Sequence, residues 1–442
     1  MVHRDPSAPA QLRRVSQPRA LYLLSAVELL ERAAGIAMLA VFPLYLRDHH
    51  GIEASAALFI AGAFWGVSYL MSLPGGWVAD RVVGAERTML GGLGALAVGY
   101  AGLALDCGGA RWWLALGMLT VGHGLFKPAL TTLIGRLYRP DDRRRTSGFM
   151  IFYFAVNVGA VLGPLAAQWT RNRWSWPALF AGAASLSLAA ILLLVGGGQR
   201  LLTLGIERAE EGPVVPLKSS TEQERVRALL LLSAVSVVFW LAIQQTGSSL
   251  VLFAAEHTTR EFIVAGFSFT LRPEHFTAFH GGMVLLLLPL LTWHAERRRV
   301  SGVEVSAVDR MVHGFVLLSA AFALLGFAGL QGGDAGRIGP LWLVVGYVLM
   351  TPGEVWLSAF GLSLVTRLAP PRMTARLTGL WFAAVAVGHW LGGALGLLWS
   401  RWPHHRCFAV VAVLTLSAAV VLLHRRERLE AIIGSRSVLS DS

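Results

Sequence analysis

The sequence is poor in charge. Asp, Glu, Lys and Arg make up 14% of the 442 residues, whereas 55% of the residues are hydrophobic. A typical soluble domain carries about 25% charged residues, so this scarcity excludes an ordinary water-soluble fold and indicates that the lipid bilayer is the solvent. The net charge of +12 does not indicate nucleic-acid binding, because the basic residues form short clusters between apolar runs rather than one basic face.

Cysteines and catalytic signatures are scarce as well. The two cysteines, Cys107 and Cys407, show no CxxC or metal-ligand spacing, which favours packing residues over a disulfide. The sequence holds no HExxH or GxSxG motif, and its histidines are scattered over different apolar runs. We therefore predict a protein that is not an enzyme, with no metal centre and no bound cofactor.

Twelve apolar runs are long enough to cross the hydrocarbon, which takes about 20 helical residues. The first run is too long for the core of a signal peptide, and no small-residue cleavage site closes it. The predicted fold is therefore an all-α integral membrane protein with twelve transmembrane helices. The predicted spans are 20–46, 54–80, 87–106, 111–138, 145–171, 177–196, 226–255, 273–295, 308–330, 338–368, 374–400 and 406–424.

The polar segments between these spans predict the topology and the domain organisation. Clusters of arginine fall on the side that also holds both termini, whereas the opposite loops are less basic. By the positive-inside rule both termini are cytoplasmic, and we expect a multi-pass protein of the cell membrane. One long polar stretch separates two sets of six spans, which suggests a carrier built from two repeats. The predicted divisions are a tail (1–19), a six-helix half (20–196), a cytoplasmic linker (197–225), a second six-helix half (226–424) and a second tail (425–442).

The loop between the second and third spans reads GGWVADRVVGAER over residues 75–87. Its glycines permit close helix packing, and Asp80 can pair with neighbouring arginines or face a helix N-terminus. The pattern resembles the signature loop of the major facilitator superfamily; the alternative is an ordinary charged turn. The residues that carry the resemblance are Gly76, Asp80, Arg81, Gly84 and Arg87.

Three charged residues lie inside the first span. A charge at membrane depth costs at least about 2.5–3.5 kcal/mol, so each one indicates a function. Glu28, Glu31 and Arg32 share one helix face, because they are spaced by three and four residues. Two neighbouring carboxylates cannot both ionise cheaply, so one of them is expected to bind a proton reversibly. The pattern predicts a proton-coupling site; a structural salt bridge is the alternative.

The fourth and tenth spans each hold one further charge. Lys127 precedes Pro128 and is one of only two lysines in the chain. A buried lysine loses its proton more easily than an arginine, so we add Lys127 to the proton-coupling set, and the proline can form a hinge. Glu354 is the only acid deep in the second half, and we predict that it forms a gate ion pair with Lys127. A fixed ion pair without a role in transport is the alternative.

Several longer motifs occur in order along the chain and together resemble the proton-dependent oligopeptide transporter (POT) family. The resemblance covers the chain from the first to the eleventh span. It implies the major facilitator fold and a monomer that carries short peptides, with protons as the coupling ion. The motifs are ELLER (28–32), GLFKP (124–128), FYFAVNVGA (152–160), FWLAIQQTGSSL (239–250) and GLSLVTRLAP (361–370).

The resemblance also implies which residues bind the substrate. Arg32, Lys127 and Asn157 match positions that hold a peptide carboxylate. Glu354 matches the position that holds the amino terminus. Cations and a carboxylate on opposite sides of a cavity suit a short zwitterion. Trp381 matches an aromatic residue of the eleventh span, for which a packing role stays open.

The chain also departs from the family pattern. The paired tyrosines after ExxER are Gly35 and Ile36 here, and the arginine and seventh-span glutamate of the family's outer ion pair are Leu39 and Gln244. Replacing both partners by neutral residues avoids leaving one buried charge unpaired. It also removes a titratable acid, because glutamine cannot carry a proton. In two places histidine replaces asparagine, which offers either a new proton site or a neutral hydrogen-bonded group. These are His280, which we include in the substrate-binding set, and His389.

Three functions remain open at this point. The first is a proton-coupled secondary transporter of short peptides or peptide-like compounds that works by alternating access. The second keeps the fold but carries a modified peptide or a non-peptide compound, in either direction, because Gly35 and Ile36 enlarge and dry one wall of the cavity. The third is a membrane receptor that binds a solute without moving it. The expected partners are a small substrate and the lipid bilayer, without nucleic acid.

Overall fold

The computed structural model of the chain describes residues 17–106, 108–138, 144–198, 222–264, 267–300, 306–332, 336–368 and 374–434. Most of the predicted linker, most of the first predicted tail, residues 435–442 of the second tail and Cys107 lie outside these residues, so the predictions made for them stay predictions. Cys407 is buried.

Long helices make up almost all of the described chain, as the continuous apolar runs predict. Nine of the described helical segments are long and apolar enough to cross a membrane. Three more long helices, α4, α5 and α12, make the count consistent with twelve spans. The helices are α1 (Arg19–Leu44), α2 (Ala54–Leu70), α3 (Ser72–Arg81), α4 (Ala85–Ala104), α5 (Ala110–Arg136), α6 (Arg144–Arg173), α7 (Trp176–Leu193), α8 (Glu222–Gln244), α9 (Ser249–Glu256), α10 (Pro273–Val300), α11 (Ala307–Gly332), α12 (Leu341–Leu368), α13 (Thr374–Gly396), α14 (His404–His424) and α15 (Arg426–Gly434).

The same packing pattern occurs twice along the chain. In the first half α1 packs along α6, and α4 packs along α5 and α7; in the second half α8 packs along α13, and α11 packs along α12 and α14. Each half buries its own apolar core. Two helix pairs join the halves, α2 with α13 and α6 with α10. The repeated pattern leaves the inner faces of the two halves opposed to each other.

Four local features differ from the sequence-based expectation. The second span is interrupted at Met71, between α2 and α3, and a short 3₁₀ turn over Gln245–Gly247 separates α8 from α9. The chain is not purely helical, since β1 (Glu261–Val264) pairs antiparallel with β2 (Phe267–Thr270) in the predicted loop before α10. The predicted second tail begins with helix α15.

A close backbone contact fixes α5 against the second span. Pro128 has no N–H, so the Gly124 carbonyl one turn earlier lacks its helical hydrogen bond. Gly75 of α3 covers that carbonyl, because a Cβ at this position would lie 2.1 Å from the oxygen. Gly124 in turn lies against Met71, with 2.4 Å between its ideal Cβ and the Cβ of Met71. The contact places Lys127, one turn after Gly124, beside the aromatic residues of α2.

Candidate functional site

The three charges of the first span form one buried cluster on α1. Glu28 is 5% exposed and Glu31 is 1% exposed. The Arg32 guanidinium contacts both carboxylates: Nε lies 3.2 Å from Glu28 Oε1, and Nη2 donates to Glu31 Oε2 at 3.0 Å. Helix α6 closes over the cluster, since a Cβ on Gly159 would lie 2.8 Å from Arg32 Cβ. One cation is therefore shared between two buried carboxylates.

His123 of α5 is the second partner of Glu31. Its Nδ1 lies 2.9 Å from Glu31 Oε1, and both side chains are buried. Gly35, one turn after Glu31, borders this pair, because a Cβ there would lie 3.5 Å from His123 Cε1 and 3.7 Å from Glu31 Oε1. A longer side chain at position 35 would compete with the imidazole for this space. Glycine at position 35, in place of the family's tyrosine, therefore leaves room for the contact between His123 and Glu31.

Lys127 contacts aromatic rings rather than Glu354. Its Nζ lies 4.2 Å from the centroid of the Tyr69 ring and 5.8 Å from that of Trp65. It is also within electrostatic range of Glu28. Among the described residues no ion pair joins Lys127 to Glu354, so the predicted gate pair is not formed in this conformation. The ring faces hold the ammonium group through cation–π interactions instead.

Glu354 of α12 has a histidine partner within its own half. Its Oε2 lies 2.6 Å from Nε2 of His280 on α10, and the His280 ring tilts against Tyr347 with 5.2 Å between centroids. The carboxylate also acts electrostatically on the Tyr153 hydroxyl of α6. Asn157, one turn further along α6, is 6% exposed and donates to the Tyr153 carbonyl at 2.8 Å. Glu354 therefore faces the half that carries Asn157.

An aromatic stack connects the two halves beside Lys127. The Tyr69 ring lies parallel to His389 of α13, with 4.9 Å between centroids and an 8° interplanar angle. Trp240 flanks both rings, at 6.0 Å from Tyr69 and 5.8 Å from His389. On the far side, His389 Nδ1 contacts Gln244 Oε1 in a short hydrogen bond. The ammonium group, the two rings and the amide thus form one continuous column.

The neutral residues that replace the family's outer ion pair do not contact each other. Leu39 packs against Gly247, whose ideal Cβ would lie 2.4 Å from Leu39 Cδ1. Gln244 instead pairs with His389. An apolar contact can replace a buried ion pair without a loss of stability. A leucine–glycine contact therefore occupies part of the boundary between the halves.

Charged contacts join the halves at one end of the bundle, here called the Arg47 face and defined by Arg47, Arg171, Glu256 and Glu274. Arg47 pairs with Glu256 across the halves. Arg171 Nη2 lies 2.7 Å from Glu274 Oε1, and the Glu274 side chain is fully buried. All ion pairs between described residues of different halves lie at this face. The structure is thus closed at the Arg47 face.

The remaining predicted residues lie apart from these clusters. Trp381 is 7% exposed within the apolar core of the second half, which fits a packing role in this conformation. In the loop motif, Gly84 has a φ of +85° before α4, and the close approach to α5 falls on Gly75 rather than on Gly76. The charged members Asp80, Arg81 and Arg87 are exposed.

Sequence reasoning missed four of the residues that complete the site. Trp65 and Tyr69 lie on the lysine side of α2, and Arg171 and Glu274 join the halves. The two aromatic residues belong to an apolar run without any distinguishing pattern. Arg171 and Glu274 each lie at a predicted span end, where a charge is ordinary. The only signal in the sequence is that the end of one predicted span carries a base, Arg171, and the start of another carries an acid, Glu274.

Two matching halves of membrane-length helices, with opposite charges on their facing inner sides, define the chain as a membrane transport protein. Comparison with protein families agrees with this class. Residues 24–302 match the Major Facilitator Superfamily, and residues 206–405 match the POT family. The chain belongs to the Major Facilitator Superfamily, its residues 206–405 are similar to the POT family, and it is a transporter rather than an enzyme.

Individual relatives span most of the chain. It is 27% identical over 413 residues to the peptide transporter YePEPT of Yersinia enterocolitica, covering 78% of this chain and 80% of the relative. It is 26% identical over 441 residues to the dipeptide and tripeptide permease A of Klebsiella pneumoniae, covering 89% and 86%. A crystal structure of a POT family transporter in complex with 5-aminolevulinic acid has the same fold, with a TM-score of 0.84, 21% identity and coverage of 93% and 97%.

Proposed function

We propose that this chain carries short peptides or peptide-like zwitterions across the cell membrane by alternating access, coupled to protons. The relatives named as peptide carriers support the substrate class. The related transporter that binds 5-aminolevulinic acid supports a ligand that combines an amine with a carboxylate. The protein works in the lipid bilayer as a monomer, as the family resemblance implies.

The charge balance of the first half supports proton coupling. With Glu28 and Glu31 ionised, Arg32 and Lys127 charged and His123 neutral, the cluster carries no net charge. Low-dielectric surroundings favour such neutrality. One added proton on a carboxylate leaves a charge of +1 and frees one arm of the shared guanidinium. A substrate carboxylate then restores neutrality, so proton and substrate bind better together than either binds alone.

The second half supplies the opposite charge. Glu354 contacts the His280 imidazole and acts electrostatically on the Tyr153 hydroxyl of the other half. A substrate ammonium group can displace the imidazole and pair with this carboxylate, because a charge-assisted hydrogen bond is stronger than one to a neutral ring. The single observation that carries the proposal is that Arg32 and Lys127 lie in one half and the carboxylate of Glu354 lies in the other.

The orientation follows from the arginine distribution. We assign the Arg47 face to the outside and the opposite face, with Arg81 and the two termini, to the cytoplasm, because basic loops stay inside. In this assignment the closed Arg47 face corresponds to a transporter that is sealed from the outside. When the cytoplasmic side closes, Lys127 leaves Tyr69 and pairs with Glu354. The predicted gate pair thus belongs to the conformation that is closed on the cytoplasmic side.

Transport by proteoliposomes tests the proposal. The purified protein should take up a labelled dipeptide, and an inward proton gradient should drive its accumulation. Glu354→Gln should abolish uptake. Glu28→Gln imitates the protonated state, so it should keep counterflow of the dipeptide but lose accumulation driven by the gradient. His313→Ala, an exposed histidine outside both clusters, is the matched control.

The outcomes separate the parts of the proposal. Uptake that is indifferent to the proton gradient would remove the coupling, and unchanged uptake by Glu354→Gln would remove the assigned site. Binding of the dipeptide without counterflow would favour the alternative function, a membrane receptor that binds a solute without moving it.

A second candidate is supported by the contact of Gly35 with His123. With no side chain at position 35 and with Leu39 packed on Gly247, two polar side chains of the family pattern are absent from this wall. These features favour a bulkier, modified peptide or a peptide-like compound, moved in either direction. Competition between dipeptides and a library of modified peptides for one labelled substrate distinguishes the two candidates. Weak inhibition by all unmodified dipeptides would favour the second.

A further inference from the structure

Two turns at the Arg47 face bring together three residues that are distant in the sequence. His49 and His50 follow α1, and Asp106 follows α4. Each of the three side chains offers one ligand atom, and these atoms all lie within 4.8 Å of one another. Nε2 of His49 lies 2.9 Å from Oδ2 of Asp106. The cluster is separate from the residues of the transport site.

Aromatic contacts fix the orientation of both imidazoles. The His49 ring stacks on Tyr45, with 5.2 Å between centroids and a 16° interplanar angle. The His50 ring meets the edges of Tyr45 at 4.7 Å and of Trp112 at 5.2 Å. Two imidazoles held in place by packing are preorganised, whereas free surface histidines must lose rotamer freedom when they bind a ligand.

The polar groups of the cluster are incompletely paired. Nε2 of His50 is shielded from solvent and has no hydrogen-bond partner, which is unusual for a buried ring nitrogen. Asp106 is the one described non-glycine residue with a positive φ, at +48°. That backbone conformation belongs to the turn that aims its carboxylate at His49. A bound cation would supply the partner that the His50 nitrogen lacks.

We propose that His49, His50 and Asp106 form a binding site for a divalent transition metal of the Zn²⁺ class. Two imidazoles and one carboxylate are a donor set that suits Zn²⁺. Zinc bonds of about 2.0–2.2 Å place neighbouring ligand atoms about 3.3 Å apart, so small side-chain rotations close the observed spread. The partly exposed side chains of His49 and Asp106 leave the fourth position to water. The metal would tie the turn after α1 to the turn after α4.

Metal titration of the tag-free protein in detergent tests the site. Zn²⁺ should bind at about one equivalent and raise the melting temperature, EDTA should reverse the shift, and Mg²⁺ should have no effect. Co²⁺ should produce visible d–d absorption bands that Zn²⁺ displaces. Asp106→Asn and His50→Ala should each weaken Zn²⁺ binding by at least about 100-fold. A change of a residue that only supports the metal ligands would weaken it by about 10- to 100-fold.

The controls keep this test decisive. His313→Ala, an exposed histidine at the opposite end of the bundle, should bind metal like the unchanged protein. Asp106 is exposed, so Asp106→Asn should fold even where His50→Ala disturbs the aromatic packing, and metal-free melting curves check this. Equal Zn²⁺ affinity in the unchanged protein and Asp106→Asn would overturn the proposal, as would the absence of Co²⁺ bands in the unchanged protein.

Discussion

The ion pair between Arg171 and Glu274 should hold the Arg47 face closed, and Glu274→Gln should open it. Glu274 is fully buried and Arg171 is 15% exposed. Removing one partner of a buried pair costs about 3–5 kcal/mol, and the residual exposure of Arg171 favours the lower end, about 3 kcal/mol. Opening the face hydrates the guanidinium and removes this cost. The equilibrium should therefore shift toward the open Arg47 face by about 10²-fold.

Distances between spin labels measure this shift. Labels at Trp174 and Thr259, both exposed and on different halves, report the separation of the halves by double electron–electron resonance in a background without Cys107 and Cys407. Glu274→Gln should add a population with longer distances.

Glu256→Gln is the matched control for that measurement. It removes the partner of Arg47 from a pair whose side chains are 25% and 30% exposed. Such exposed pairs contribute about 0–1 kcal/mol, so the shift should stay below about fivefold. Exchanging the charges of Arg171 and Glu274 should restore the closed population. Equal shifts by Glu274→Gln and Glu256→Gln would refute the reasoning, because burial would then have no influence on the strength of the contact.

Two further predictions concern packing and polar pairing within the bundle. Gly75→Ala should lower the free energy of unfolding by at least about 1–3 kcal/mol, because its Cβ meets a carbonyl of α5; Gly91→Ala, with nothing near its Cβ, should be neutral in the same thermal melts. Gln244→Glu should destabilise the protein at pH 8 and less at pH 6, because the new buried carboxylate takes up a proton as the pH falls and can then donate a hydrogen bond to His389. The control is Gln245→Glu, because Gln245 contacts Leu241 and Ser249 rather than a histidine; it should be destabilising at both pH 6 and pH 8. An equal loss of stability at both pH values for Gln244→Glu would contradict the contact with His389.

The sequence predicted the elements of the fold that depend on local composition. Apolar runs without polar interruption can only be helices in lipid, and the spacing of Glu28, Glu31 and Arg32 can only place them on one face. The break at Met71 was not predicted, although Pro74 marks it in the sequence, because proline has no N–H to donate to the Leu70 carbonyl one turn earlier. The hairpin before α10 was missed for a different reason, since its ten residues (261–270) contain only one glycine, Gly266, to mark a turn.

The choice of partners was the least predictable part of the site. Lys127 was predicted to pair with Glu354, but in this conformation Tyr69 holds the first and His280 the second. These alternatives differ by energies of the size of one cation–π contact, about 0.5–2 kcal/mol. Sequence motifs report which residues meet during a transport cycle rather than which contact one conformation contains.

Tyr69 should therefore decide whether Lys127 meets Glu354. Replacing Tyr69 by alanine removes a cation–π contact of about 0.5–2 kcal/mol, which should raise the share of conformations with the Lys127–Glu354 pair by about 2- to 30-fold. A double-mutant cycle with Lys127→Met and Glu354→Gln, followed by thermal unfolding, measures the coupling between the two charges.

The coupling should be small in the unchanged protein and in Tyr69→Phe, since phenylalanine keeps the ring face that attracts the ammonium group. It should rise in Tyr69→Ala, because the lysine then loses its nearer ring and keeps only the more distant Trp65, at 5.8 Å. A large coupling already present in the unchanged protein would mean that the gate pair forms irrespective of the ring. A coupling unaffected by Tyr69→Ala would mean that the distance between the halves, rather than competition from Tyr69, keeps the two charges apart.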